Sequence, residues 1–515
     1  MKQNTEHTDV LLIYPKTGVD FGSTIAPPHA VLSIAAPLVK EGYKVKVIDM
    51  RTDENWQETV LESLKSNPIC VGISTMIGTQ IRFALKAASL IRGHKNGQIP
   101  IVWGGVHPTL LPLQTLENEL VDIVVVGEGE LTILELVKTL AEKTPLSEVR
   151  GIAFKNGGKP VETPPRDLLD IETLPPVPWE LVNVEDYVHR DMYVKDSQRT
   201  LDIGQTSRGC PFKCGFCCSA TIRKRKWRAM SVEKSLDMIA STVRRFNLTG
   251  IWLRDDEFYI NRSRARAICE GMLRENLNIK WYTSGTRVDV FCKADEEDVA
   301  LLKKAGADVL KFGAESGDNR VLDLMTKDIT CEQTLEANRK AKRHGIKPAF
   351  ALMAGFPTET WEEIDRTIDL AFKLKEENPN AQFESLGTFV ALPGTPMYQL
   401  AIEHGLKPPK SLEEWIAWNF EEYDYKGRKA PWFSYVDRIK LGNLNTLCNL
   451  SFAVPNLFDS ISSPFMRYVF KTIAIPMSRF YRFRFKHKMY TFSWDLRLIM
   501  LLKKALIDSG FLKIK

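Results

Sequence analysis

Four of the nine cysteines, Cys210, Cys214, Cys217 and Cys218, fall within nine consecutive positions. The segment reads Thr206-Ser207-Arg208-Gly209-Cys210-Pro211-Phe212-Lys213-Cys214-Gly215-Phe216-Cys217-Cys218. Three thiolates separated by three and then two residues, on one glycine-bearing loop, can hold three corners of an iron–sulfur cubane. The fourth iron is then left open to a bidentate ligand. An electron-transfer cluster takes four cysteines, and Cys218, adjacent to Cys217, is poorly placed to reach the same cluster. A structural zinc site takes four Cys/His ligands, typically as two pairs, and no second pair is visible. Both readings stand behind a three-cysteine cluster at Cys210, Cys214 and Cys217, with Cys218 a bystander.

Such a loop needs a scaffold, and the chain alternates strand and helix signals in two series. In the first, Val10–Tyr14, Val45–Ile48, Cys70–Ser74, Ile101–Trp103 and Ile123–Val126 are short apolar runs. Helical-period segments (Leu32–Lys40, Trp56–Lys65, Gln80–Ile91 and Glu130–Leu140) lie between or after them. Apolar runs without alternation suit strands buried on both faces, so an α/β, doubly wound parallel sheet is expected over residues 1–150. Ligands of such sheets sit at the carboxyl ends of the strands. There the sequence places Ser74-Thr75, Gly104-Gly105 and Gly127-Glu128-Gly129-Glu130.

Residues 151–198 read as a Pro-rich linker, because clustered prolines continue neither helices nor central strands. The second series has strands near Leu201–Gln205, Ile251–Arg254, Lys280–Thr283, Val309–Gly313, Phe350–Met353 and Leu386–Ala391. Six β/α units are too few for a closed eightfold barrel, so residues 199–405 are expected to form an open, partial (β/α)6 barrel. Residues 406–515 form a mainly helical C-terminal extension, aromatic and basic in composition.

The CxxxCxxC pattern, with Phe216 before its last cysteine and directly after the first strand of a β/α series, resembles the radical S-adenosylmethionine superfamily. The resemblance spans roughly residues 5–405. It implies that Cys210, Cys214 and Cys217 bind a [4Fe–4S] cluster and that Phe216 lies beside the adenine of S-adenosylmethionine. The open iron takes the amino and carboxylate groups of that cofactor, and an electron from an external donor cleaves it to methionine and a 5′-deoxyadenosyl radical.

Further segments match in order. Leu253-Arg254-Asp255-Asp256-Glu257-Phe258 resembles a DDxF variant whose acidic residue, Asp256, accepts from the ammonium group. Asp255 is equally well read as a solvated turn. Trp281–Val290 resembles the third strand, with Arg287 the candidate carboxylate partner, and Phe312–Gly317 resembles a GxESG segment that turns Glu315 toward the ribose or amino group. Ala354–Thr360 and Ala391–Tyr398 are similar to the GxPxET and PGTPxY stretches.

Val102-Trp103-Gly104-Gly105-Val106-His107-Pro108-Thr109, followed by Val121–Glu130, is similar to the cobalamin-binding domains fused to radical enzymes. This implies cofactor contacts at Ser74, Thr75, Gly104, Gly105, Gly127 and Glu128, with glycines letting the backbone approach a large flat ligand. The DxHxxG motif of other cobalamin folds is absent, and the loop Pro15-Lys16-Thr17-Gly18 has no histidine. The resemblance therefore implies a lower cobalt face without a protein histidine, and His107 reads as a turn residue packing beside the cofactor. A domain that kept the fold and lost the cofactor is the alternative.

At 515 residues, 44% hydrophobic and 26% charged, the chain has material for about three globular domains. The N-terminus carries no apolar h-region, and no run of about twenty residues is free of charge and proline. With an odd cysteine count, this points to a reducing, cytoplasmic setting. Net charge is +6, but from Arg467 onward twelve Lys/Arg face two acids. Arg479-Phe480-Tyr481-Arg482-Phe483-Arg484-Phe485-Lys486-His487-Lys488 interleaves aromatics with cations. This segment reads as a basic face over buried aromatics, as a peripheral membrane contact, or, least well, as a nucleic-acid surface. The apolar stretch from Leu444 to Met466 favours the membrane over nucleic acid.

The expectation is a cobalamin-dependent radical enzyme that methylates an unactivated carbon of a hydrophobic, lipid-like or polycyclic small molecule. Its rivals are radical cyclisation or rearrangement without methyl transfer, and an iron–sulfur or zinc module that binds nucleic acid. No catalytic residue beyond the cofactor contacts is assigned.

Overall fold

Non-alternating apolar runs pair side by side because both faces of each strand need cover. Strand β1 (Val10–Tyr14), in which Val10 to Ile13 are fully buried, pairs in parallel with β2 (Val45–Asp49) and β3 (Cys70–Ser74). Strands β4 (Ile101–Gly104) and β5 (Ile123–Val125) continue the parallel series. The computed structural model describes all residues except 1–6, 19–24, 95–97, 192, 420–427, 453–463, 492–493 and 497–515.

The sheet order is β2-β1-β3-β4-β5, followed by two more strands, β6 (Ile152–Asn156) and β7 (Lys159–Glu162). The order reverses between β1 and β3, the place where open α/β sheets form a ligand crevice. The helices His29–Lys40, Trp56–Leu64, Thr79–Arg92 and Glu130–Glu142 bear out the periodicity read from the sequence.

Strands β6 and β7 revise the linker boundary, because residues 152–162 extend the sheet, β6 antiparallel to β5 and β7 antiparallel to β6, instead of wrapping its surface. Only after Glu162 does the proline-rich path prevail, broken by single 3-10 turns such as Trp179–Leu181.

The chain divides into two compact units. The first is Met1–Tyr187 with Ile222–Lys224 and Pro408–Glu422, and the second is Val188–Thr221, Arg225–Lys407 and Tyr423–Lys515. The C-terminal extension is therefore not one body. Its residues 408–422 belong to the first unit, where Trp415 Nε1 donates to Gln114 Oε1 at 2.6 Å.

In the second unit β8 (Thr200–Gly204) leads into a two-residue-per-strand ribbon, β9 (Ser207–Arg208) with β10 (Arg228–Ala229). The parallel strands β11 (Gly250–Leu253), β12 (Lys280–Thr286), β13 (Ala307–Glu315), β14 (Lys347–Ala354) and β15 (Gln382–Thr388) follow. The six-stranded order β15-β14-β13-β12-β11-β8 is sequential and open, the expected partial barrel. Its helices start at caps that the sequence displays. Ser231 and Asn261 accept from the third residue of Val232–Arg245 and Arg262–Arg274, and Thr330 with Gln333 and Thr360 with Glu363 form capping boxes.

Helices Tyr435–Phe452 and Pro464–Lys486 complete the unit. The first packs on β15 and buries Leu444, Leu447 and Leu450. Residues 444–452 of the apolar stretch thus line the core, and residues 453–463 lie outside the described residues.

The turn after β4 is the tightest backbone approach in the first unit. Gly105 has φ +101°, and a Cβ there would lie 2.5 Å from Thr75 O and 2.9 Å from Thr75 N. Gly105→Ala combines a left-handed backbone with a collision against main chain, so a loss of about 2–4 kcal/mol is expected. Gly157→Ala, at φ +57° with open space around it, should lose about 1–2 kcal/mol. Urea unfolding of both variants checks the difference.

Candidate active site

The cysteine loop is held from below by a buried carboxylate. Asp255, just past β11 and 1% exposed, accepts from Thr206 N at 3.2 Å, from Thr206 Oγ1 at 2.8 Å and from Ser207 Oγ. Burial pushes its carboxyl upward, and the hydrogen bonds from Ser207 and Thr206 oppose that shift. Asp255 is therefore no solvated turn. Arg264 closes the far side, donating to Thr206 O and Met230 O at 2.9 Å and to Ser235 Oγ at 2.8 Å. Gly285 lets β12 pass the same point, since a Cβ would come within 2.2 Å of Asp255 O.

Asp256 is exposed and accepts from Gly209 N at 2.7 Å, one residue before the first cysteine. Farther along the loop, Gly215 donates to Met325 O at 2.7 Å and accepts from Met397 N at 2.9 Å. Cys217 N donates to Cys214 O at 3.1 Å. Cys210, Cys214, Cys217 and Cys218 are all half-buried and in no disulfide, and Cys218 opens the short helix Cys218–Ile222. Among the described residues no three His, Cys, Asp or Glu side chains are grouped as the ligands of one ion. Three thiols spread along a loop suit a polynuclear cluster better than a single zinc ion.

Burial pushes the Cys210 thiol up to about 11 and raises Cys217 as well. Ligation needs thiolates, and the structure supplies cations to favour them. Arg287 Nη1 lies 3.4 Å from Cys214 Sγ, and the guanidinium sits 3.7 Å over the Phe212 ring. Its Nε donates to Asp289 at 2.8 Å and its Nη2 to Lys327 O at 2.6 Å. Each guanidinium nitrogen already has a partner, so Arg287 stands beside the thiols and not as an unengaged carboxylate receptor.

The second cation, Lys327, escaped the sequence reading. It is buried, donates to Glu315 Oε1 at 2.7 Å and lies 5.6 Å from the Phe216 ring centroid. Burial alone would lower its ammonium; Glu315 and Cys214 outweigh that and hold it above the ordinary lysine value. Glu315 itself adopts φ +62°, a left-handed conformation for a non-glycine residue. One lysine thus draws together Phe216, Glu315 and, through its carbonyl, Arg287. No motif flags a lone lysine twelve residues beyond Glu315.

Two further buried acids were missed. Glu257 accepts from Arg287 N at 2.7 Å and Tyr259 N at 3.3 Å, and burial lifts it to about 8. Glu359 accepts from Gly355 N at 2.6 Å and Phe356 N at 3.0 Å, and burial lifts it to about 7. Both hold backbone turns at the carboxyl ends of strands.

In the first unit, Ser74, Thr75, Gly104 and Gly105 meet at the carboxyl ends of β3 and β4. A Cβ on Gly105 would also lie 3.2 Å from Ser74 Oγ. Gly127, at φ +84° with nothing near a would-be Cβ, donates its N–H to Thr109 Oγ1 at 3.0 Å. Glu128 accepts from Leu169 N at 2.8 Å and pairs with Arg223, so its oxygens are engaged within the protein. Thr75 Oγ1 and both ring nitrogens of His107 are buried without a hydrogen-bond partner in the structure. Buried polar atoms are nearly always satisfied, so orphans beside a glycine-lined sheet edge fit a large polar ligand. His107 packs edge-on against Trp415 at 5.5 Å.

The sequence profile of the Radical SAM superfamily matches residues 205–371, and that of the B12 binding domain matches residues 22–137. An uncharacterized methyltransferase of Pyrococcus horikoshii is 31% identical over 402 residues, covering 77% of this chain and 84% of the relative. This chain belongs to the radical SAM superfamily, in its cobalamin-binding branch.

Hopanoid C-3 methylase of Methylococcus capsulatus is 32% identical, over 64% of this chain and 61% of its own. Anaerobic magnesium-protoporphyrin IX monomethyl ester cyclase of Cereibacter sphaeroides is 27% identical, over 72% and 60%. The cobalamin-dependent S-adenosylmethionine radical enzyme OxsB, solved with aqua-cobalamin bound, superposes with a TM-score of 0.73 at 21% identity, covering 98% of this chain and 75% of that one. That is a likeness of fold. The cofactors of this radical SAM enzyme are a [4Fe–4S] cluster, S-adenosylmethionine and cobalamin.

Asp255→Ala leaves three buried donors without an acceptor, and a loss of about 3 kcal/mol or more is expected. Iron and sulfide bound per chain after anaerobic reconstitution should fall with it. His107 gives a pH signature. Burial lowers its imidazole to about 4, so as pH falls from about 6.5 the unfolded chain takes up a proton that the folded chain refuses. Stability contributed at neutral pH is lost across that window, on the order of 3 kcal/mol at its lower end. His107→Leu should flatten this part of the urea-midpoint profile between pH 4 and 6.5 relative to the parent protein.

Proposed function

We propose that this radical SAM enzyme methylates an unactivated carbon of a hydrophobic small molecule, lipid-like or polycyclic. The observation that carries the reading is the pairing, in one chain, of two sites. One is a three-thiol loop flanked by Arg287 and Lys327; the other is a glycine-lined, B12-type sheet edge with orphaned polar groups. When bound, the cluster with S-adenosylmethionine supplies a 5′-deoxyadenosyl radical and cobalamin supplies a transferable methyl group.

The protein's own work is placement. Cys210, Cys214 and Cys217 hold the cluster, with Arg287 and the Lys327–Glu315 pair favouring negative charge there. Asp256, exposed beside Gly209, accepts from the ammonium group of S-adenosylmethionine, and Phe216 lies against its adenine. Ser74, Thr75, Gly104, Gly105 and Gly127 line the corrinoid edge. Glu128 acts behind that edge by fixing Leu169 and Arg223. An external donor supplies the electron.

The similarity to a hopanoid methylase and to a protoporphyrin ester cyclase supports a hydrophobic substrate. The cyclase also favours a second reading, radical ring closure without methyl transfer. Product mass separates the two: methyl transfer adds about 14 Da per methyl.

Anaerobic reconstitution with iron, sulfide and hydroxocobalamin, followed by visible spectra and a 5′-deoxyadenosine assay, tests the proposal. Cluster and corrinoid bands are expected, with 5′-deoxyadenosine formation abolished in Cys210→Ala, Cys214→Ala and Cys217→Ala. Cys218→Ala should remain within about twofold of the parent. A cluster that cleaves S-adenosylmethionine without any corrinoid uptake would rule out methyl transfer.

A further inference from the structure

Helix Pro464–Lys486 has two unlike faces. The inner one is fully employed: Ala474, Ser478, Tyr481 and Phe485 are buried, with Ser478 Oγ donating to Ser451 O at 3.0 Å and Phe485 packing on Phe452 at 6.2 Å. Among its described side chains, the buried cation Arg484 is matched by Asp495 at 2.6 Å. Nothing in this packing requires the outer face to be apolar.

Yet the outer face carries large, solvent-exposed apolar side chains. Tyr468 is 72% exposed, Phe480 53% and Phe483 57%, Ile475 lies among them, and Met489, just past the helix end, is exposed as well. Arg479 and Lys486 stand exposed among them. Seven Lys/Arg and no Asp or Glu occur between residues 460 and 494. Exposed aromatics cost solubility unless something covers them, and here Arg479 and Lys486 place positive charge on the same face, while Arg484 and Lys488 are matched by Asp495 and Asp365.

We infer that this face docks on an anionic lipid bilayer, lying in the interface with Phe480 and Phe483 at headgroup depth and Arg479 and Lys486 against lipid phosphates. The aromatic–basic composition suits that depth. Ile475 and Met489 are aliphatic and offer no stacking platform for bases, which disfavours single-stranded nucleic acid. No helix among the described residues is long and apolar enough to cross a membrane, so the contact is peripheral. The inference stands apart from methyl transfer, since it needs neither the cluster nor a lipid substrate.

Flotation of the full chain with phosphatidylcholine vesicles, with and without phosphatidylglycerol, tests it. The protein should float with the anionic vesicles at least about tenfold better than with neutral ones, and added salt should weaken the binding. Arg479→Gln with Lys486→Gln should weaken binding about 25-fold, from roughly fivefold per charge. Phe480→Ser with Phe483→Ser should reduce it at least about tenfold. The charge double variant should keep the parent's unfolding midpoint. Because the Phe480 ring packs edge-on against Tyr481 at 5.3 Å, Phe483→Ser alone, whose ring lies against exposed His487, is the fold-neutral check on the aromatic pair. Three outcomes overturn the inference: no flotation with anionic vesicles, unchanged flotation by both variants, or a self-association of the parent in light scattering that Phe480→Ser/Phe483→Ser abolishes.

Discussion

A carboxylate taken out of water is unfavourable unless donors surround it, and Asp255 turns that constraint into architecture. Its oxygens are met only if the first residues of the cysteine loop return to the end of β11, so folding the barrel and shaping the loop are one event. Arg264 reinforces this from the opposite side by consuming the carbonyls that the loop leaves behind. The thiols themselves contribute no such anchor. Burial makes Cys210 and Cys217 poor thiolates, and Arg287 and Lys327 oppose that shift without overcoming it. Lys327 remains charged while buried because Glu315 shares its site, and Arg287 is fixed by three partners at once. The preorganised field around the loop therefore belongs to a connected set of side chains, with effects that will not add independently on mutation.

Much of this was legible in the sequence for physical reasons. Strand positions followed from uninterrupted apolar runs, and helices from the spacing of their apolar residues. The cysteine spacing identified the loop. What escaped were residues whose meaning lies in tertiary neighbours. Lys327 looks like any lysine after a short helix until the fold brings it to Glu315. Asp255 and Asp256 are adjacent and chemically identical, and only the register of β11 decides that one is buried and the other exposed. Glu257 and Glu359 were invisible for the same reason: a buried acid satisfied by backbone N–H groups leaves no local pattern. Strands β6 and β7 were hidden by the prolines around them.

The front unit shows how little a binding edge needs. Two glycine turns bring the main chain close, and a few polar groups are left without protein partners. His107 is the clearest of these: its burial excludes the charged form, and its side chain rests against Trp415, from a segment more than three hundred residues later in the chain. Trp415, from a stretch read as part of a tail, thus packs within a domain at the other end of the sequence.

Strand β7 bears on handling the protein as much as on its fold. It is exposed along its whole length and lies at the rim of the first sheet, where unpaired main-chain groups would template a second chain. Its residues are Lys159, Pro160, Val161 and Glu162: two charges, and a proline that has no N–H to offer. That rim of the sheet is thereby guarded against pairing with a second chain, a safeguard at the high concentrations that anaerobic cofactor loading demands.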